Sequence, residues 1–144
     1  MPACTFFGHR DCPSSIKEKL QCAIVHLIEN HGVDTFYVGH QGAFDRMATA
    51  ILLELSVLFS HIHFFVVLAH LPQKDTLLNA EVAAHSLFPE GIETVPHRFA
   101  ISFRNNWMIQ HSDFVIAYID HSWGGAAQFA LAAEKHGKTV LHLA

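Results

Sequence analysis

One pattern constrains this chain more than any other, and it occurs three times. A short apolar run breaks into a small, Gly-bearing polar loop, and a helix-like stretch follows. The runs are Cys4-Thr5-Phe6-Phe7 into Gly8-His9-Arg10, Phe36-Tyr37-Val38 into Gly39-His40-Gln41-Gly42, and Val115 to Ile119 into Asp120-His121-Ser122-Trp123-Gly124-Gly125. Strands that alternate with helices pair in parallel, and parallel strands send such loops to one sheet edge, where open α/β folds collect ligands.

The rest of the chain fits this plan. Residues 3–7 read as a strand, followed by a helix with Ser15 as cap, Glu18 completing a capping box, and Gly32 as its stop. Residues 34–38 are a second strand. A helix from Ala43 places Met47, Ile51, Leu52, Leu55 and Leu58 on one side, and His63 to Ala69 is a third strand. Between His70 and His97 the pattern weakens, with a short helix expected near Leu77 to Leu87 and a short strand at Ile92 to Val95. Phe99 to His111 reads as a helix, Asp113 to Ile119 as a central strand, Gly125 to His136 as a final helix and Thr139 to Leu143 as a closing strand. The expected architecture is a three-layer α/β sandwich around a mainly parallel sheet of five or six strands, with right-handed crossovers.

The 144 residues are expected to form a single domain, 1–144, without linker or repeat. A content of 51% hydrophobic and 15% charged residues suits a sheet covered on both faces. The formal charge of −4 argues against a nucleic-acid partner held by a basic surface. No membrane span is expected, because the most apolar stretch, Val57 to Leu71, is broken by Ser60, His61, His63 and His70. Cys4, Cys12 and Cys22 lack a CxxC pair, and a cytoplasmic setting is the simplest expectation. Off-stripe apolar residues Ala50, Leu53, Val57 and Phe59 give the helix from Ala43 a second face that a homodimer would bury.

The loops suggest an anion pocket with a polar rim. Gly8, Gly39 and Gly42 let backbone approach a ligand, and Arg10 can fork onto a phosphate or carboxylate. Gln41 and Asp45 suit sugar hydroxyls or a base edge. Gly124 and Gly125 open the last helix, whose free amides can cradle a phosphate. Trp123 is favoured over Trp107 as a base-stacking ring, and His9, His40 and His121 are expected as loop donors. No HExxH motif is present, and neither a metal site nor a cofactor is expected.

Taken together, several segments resemble the YpsA-like branch of the SLOG superfamily. They are Phe7-Gly8-His9-Arg10, Tyr37 through Asp45, Pro89-Glu90-Gly91-Ile92-Glu93, Arg104-Asn105-x-Trp107-Met108-Ile109 with Ser112-Asp113, and Trp123-Gly124-Gly125-Ala126-Ala127. The resemblance runs nearly end to end. It implies a Rossmann-like domain related to the DNA-processing protein DprA and to the LOG phosphoribohydrolases, with a nucleotide or nucleotide-derived ligand at the sheet edge. Against the LOG pattern, Arg104, Met108, Asp113, Gly124 and Gly125 match. Trp123 replaces the family's proline, Ala127 a glycine and Gln128 a threonine, and Leu131 stands at the catalytic glutamate position.

Glycosidic cleavage wants a carboxylate that Leu131 cannot supply, so the chain is expected to bind and sense a nucleotide or nucleotide-sugar small molecule without consuming it. The alternative is an N-glycosidic-bond-cleaving enzyme of LOG or deoxyribosyltransferase type with a rearranged carboxylate. Its candidate catalytic residues are Asp45, Asp120 and Arg104. The expected ligand-binding set is Gly8, His9, Arg10, Gly39, Gln41, Gly42, Asp45, Arg104, Ser122, Trp123, Gly124 and Gly125.

Overall fold

A computed structural model describes residues 2–70 and 83–143. The elements are β1 (Ala3–Gly8), α1 (Ile16–His31), β2 (Thr35–Val38), α2 (Ala43–Leu58), β3 (His63–Val67), β4 (Ser86–Leu87), α3 (Ala100–Gln110), β5 (Phe114–Tyr118), α4 (Gly125–Lys135) and β6 (Thr139–His142). The six strands form one sheet in the order β4-β3-β2-β1-β5-β6, and every pair is parallel. This is the Rossmann-like α/β fold the strand-loop-helix pattern calls for.

Strand alternation divides the core between the two sheet faces. Cys4 and Phe6 of β1 pack with Phe36, Phe64 and Ile116 against the buried stripes of α1 and α2. Phe7 of the same strand turns the other way, joining Val67, Val115 and Ala117 against Met108 and Ile109 of α3 and Phe129, Ala130 and Ala133 of α4. Each fully buried aliphatic or Phe side chain contributes about 1.5–3 kcal/mol of transfer free energy, so a strand buried on both faces is strongly held. Asp113 ties the far ends of β1 and β5 together, accepting the Ala3 amide at 3.1 Å and donating its own amide to the Ala3 carbonyl at 2.8 Å. Asp113, one of the residues shared with the LOG pattern, therefore braces the sheet at the end opposite the loops.

Several local expectations fail for identifiable reasons. Ser15 makes no capping hydrogen bond: its backbone is already helical, at φ −63° and ψ −17°, where a cap needs an extended one, and the Ile16 and Lys17 amides bond the Pro13 and Ser14 carbonyls at 3.1 Å. Gly32 does stop α1, at φ 66°. On α2, Phe44, Ala48, Ile51, Leu52 and Leu55 are buried, whereas Leu58 is 76% exposed and Met47 only half-buried. Val57, on the face expected to be covered in a dimer, is 82% exposed, and none of the described residues covers it. The strand expected at Ile92 to Val95 is a single 3-10 turn over Ile92–Thr94, entered through Gly91 at φ 85°. Most of the helix expected at 77–87 lies outside the described residues, and its last two residues form β4. Among the described residues, no helix is long and apolar enough to cross a membrane.

Candidate functional site at the sheet switch point

The chain builds β1 to β4 outward in one direction, then returns to place β5 on the other side of β1. Outside the carboxyl ends of those two strands the connections diverge and leave a crevice, which is where doubly wound sheets bind ligands. The crevice has a volume of about 510 Å³. Its walls include Gly8, His9, Arg10, Gly39, Gln41, Asp45, Arg104, Asp120, Trp123, Gly124 and Gly125, so loops distant in sequence converge on one hollow. Gly42, Ser122 and His40 are not part of the wall. His121, Asp11, Ile101, Asn105, Met108 and Ala126 also line it. Of these, His121 stood out as a loop donor, and Asn105, Met108 and Ala126 belong to the segments that carry the resemblance; only Asp11 and Ile101 had no signal in the sequence.

The glycines divide by what surrounds them. A Cβ on Gly8 would sit 2.2 Å from Cγ of Phe44, so this glycine lets α2 close onto β1. Gly42, at φ 92°, lies against the Arg10 backbone, with its Cβ position 2.7 Å from Arg10 Cα. The Arg10 carbonyl accepts the Ala43 amide at 2.9 Å, which occupies the first free donor of α2. The starts of α1 and α2 are thus partly closed by protein carbonyls. Gly124 and Gly125 differ: a Cβ at either would meet nothing within 4 Å, and the start of α4 opens into the crevice. The macrodipole and unpaired amides at this terminus favour an anion.

Two groups form the polar floor. Arg104 is only 2% exposed; its Nη1 donates to the Val67 carbonyl at 2.9 Å and its Nε to Asn105 Oδ1 at 2.8 Å. Asp45 is buried beside it and accepts the Gln41 amide at 2.9 Å. Burial pushes the Asp45 carboxyl up to about 6, against the pull of that hydrogen bond and of the Arg104 and Arg46 charges. The bond to Val67 ties α3 to β3, and Arg104 lines the crevice as well. Arg10 is exposed, and Nη2 bonds Gln41 Oε1 at 3.3 Å.

The opposite wall is a column of rings. His9 meets Tyr118 edge-on at 6.1 Å and lies face to face with His121, centroids 3.6 Å apart and 13° from parallel. Trp123 follows at 4.0 Å from His121 and is 69% exposed. Asp120 braces the column, accepting His121 Nδ1 at 2.6 Å and the Tyr118 hydroxyl at 3.3 Å, while its amide donates to His9 Nε2 at 3.2 Å. Burial first, and then the His121 charge, lowers the His9 pKa despite Asp120 nearby. Trp107 is elsewhere, packed on Tyr37 and His111. Leu131 is 53% exposed and outside the crevice wall, and Glu134 pairs with His142 at 2.8 Å.

No family model and no curated protein matches the chain. Among solved structures, it is similar to DNA processing protein A (DprA) from Streptococcus pneumoniae, with a TM-score of 0.69 at 15% identity over 99% of this chain and 50% of that one. It is also similar to DprA from Helicobacter pylori, a structure concerned with that protein's single-stranded DNA binding mode, with a TM-score of 0.69 at 18% identity over 98% of this chain and 64% of that one. The chain thus spans half to somewhat under two thirds of these proteins. The likeness corrects two expectations. A small-molecule nucleotide sensor without a nucleic-acid partner conflicts with neighbours of which one binds single-stranded DNA, and the glycosidase alternative gains nothing from them. The physical error lay in letting an overall charge of −4 stand for the character of a local groove, since stacking rings and a few donors can hold a strand without a basic surface. The fold, a six-stranded all-parallel Rossmann-like sheet, is similar to that of DprA.

Proposed function

We propose that the chain, as a single YpsA-like domain of the SLOG type, binds single-stranded DNA, with one nucleotide unit seated at the switch-point crevice. The observation that carries this reading is the His9–His121–Trp123 column, which ends in an exposed indole beside the open amides of Gly124 and Gly125. A base that stacks on the outer face of Trp123 extends the column. Its phosphate then falls to the start of α4, with Arg10 on the facing wall. Base–aromatic stacking contributes about 1–3 kcal/mol per base and tolerates any sequence. The likeness to DprA supports the same ligand class. The free cysteines suit a reducing, cytoplasmic setting.

The test is fluorescence anisotropy of a labelled oligothymidylate titrated with the full chain and with Trp123→Ala. The expected outcome is saturable, salt-sensitive binding that weakens by about 1–3 kcal/mol in the variant. Unchanged anisotropy up to tens of micromolar wild-type protein, or equal affinity for both proteins, overturns the proposal.

A further inference from the structure

We propose that His9, Asp120 and His121 form a site for one divalent transition-metal ion of the zinc class, set in the crevice wall and open toward the crevice. The inference does not rest on the DNA-binding reading, although it calls on the same His9 and His121 rings. It rests on donor chemistry and spacing.

The three side chains each offer one ligand atom, and these atoms lie within 4.8 Å of one another. Two imidazoles and a carboxylate are a set that zinc-class ions accept, leaving a fourth position for water or an incoming oxygen. Bonds of about 2.0–2.1 Å in a tetrahedron place neighbouring donors about 3.3 Å apart. His9 Nε2 and Asp120 Oδ1 stand at 3.3 Å, so the first two vertices are already spaced for a shared ion.

The third donor needs a small rearrangement. His121 Nδ1 is 2.6 Å from the same carboxylate oxygen, in a hydrogen bond that a metal would replace. Its ring is nearly parallel to that of His9, so the two lone pairs run side by side instead of converging. The proposal requires this partly exposed side chain to turn about its Cα–Cβ bond so that Nδ1 moves to the third vertex. His9 Nε2 likewise gives up the 3.2 Å bond from the Asp120 amide, a long one. The Nε2 lone pair is the one that accepts this amide, so it already points toward Asp120. The Tyr118 hydroxyl on Asp120 Oδ2, at 3.3 Å, is an outer partner of the kind that orients metal-bound carboxylates.

No local motif could announce this site, since its ligands come from the ends of two strands that are adjacent in the sheet and far apart in the chain. Calorimetric titration of the full chain with Zn²⁺ near neutral pH tests it, alongside His121→Ala, Asp120→Asn and, as a control for the other histidines, His142→Ala. The expected result is one equivalent bound by the wild type and by His142→Ala, with affinity lower by about tenfold or more in the other two. Visible absorption of Co²⁺ in place of zinc is expected to report low-coordinate ligation in the wild type and to lose intensity in His121→Ala, whose side chain is partly exposed. Equal zinc affinity in His121→Ala and wild type, or no zinc uptake by the wild type at tens of micromolar, overturns the proposal.

Discussion

The carbonyl of Arg10 accepts the amide of Ala43 at 2.9 Å, so the loop after β1 is fastened to the start of α2 by backbone alone. The Arg10 side chain is left exposed at the crevice, where its hydrogen bond is to Gln41. Structure and binding are therefore separable at this residue. The main chain secures the loop, and the guanidinium is available to a ligand.

Arg10→Ala is expected to leave the melting temperature almost unchanged, because the backbone tie survives. Loss of a charge-assisted contact to a phosphate weakens oligonucleotide binding by about 1.5–3 kcal/mol. If the contact is ionic, the slope of log affinity against log salt also becomes shallower by about 0.7. Anisotropy titrations across a salt series measure both; a large drop in stability with intact binding contradicts the assignment.

Gly8→Ala is expected to act in the opposite sense. The added methyl would lie 2.2 Å from the Phe44 ring, which is fully buried and cannot move aside freely. Overpacking of this kind costs about 1–3 kcal/mol. Urea denaturation of the variant checks the figure, and unaltered stability would mean that α2 shifts off β1 without penalty.

Asp45 gives a pH prediction. Its folded value of about 6 lies above the ordinary 3.8, so the protonated form is the one favoured by folding. The contribution is fully present below about pH 3.8 and is lost as pH rises through about 6, with a full size of about 3 kcal/mol. Relative to Asp45→Asn, which cannot titrate, the wild type is expected to gain stability as pH falls from 7 toward 4. Denaturation of both proteins across that range isolates this group from His9, whose lowered pKa works in the other direction. A difference independent of pH would show that Asp45 stays ionised in the fold.

Much of the fold was legible because its signals are local. The 3.6-residue stripe of Ile16, Leu20, Ile24, Leu27 and Ile28 marks α1, and all five are buried. Gly32 and Gly137 end α1 and α4 in left-handed conformations that their lack of a Cβ allows. Where a local signal competed with another partner it failed. Ser15 had the residue type of a cap, but a turn from Pro13 and Ser14 carries helical backbone through it, and its side chain makes no capping bond. Ile92 to Val95 had strand composition and became a turn entered through Gly91 at φ 85°. The two-residue β4 owes its existence to pairing with Val66 and Val67 of β3 rather than to its own sequence.

The site was legible in part. The chain's alternating order of runs, loops and helices determined that the residues after β1, β2 and β5 would meet, since parallel pairing sends successive loops to one edge. It also marked Arg10, Trp123 and the Gly124–Gly125 pair by residue type. Tertiary structure decided which of these face the crevice. Gly8 and Gly42 are required by Phe44 and by the Arg10 backbone, while Arg104 bonds Val67 and Asn105 and still lines the crevice. His9, Asp120 and His121 come together only through the pairing of β1 with β5. Sequence specifies short-range conformation and periodicity, whereas the partner of a buried donor or ring depends on contacts between segments far apart in the chain, and those exist only once the sheet has closed.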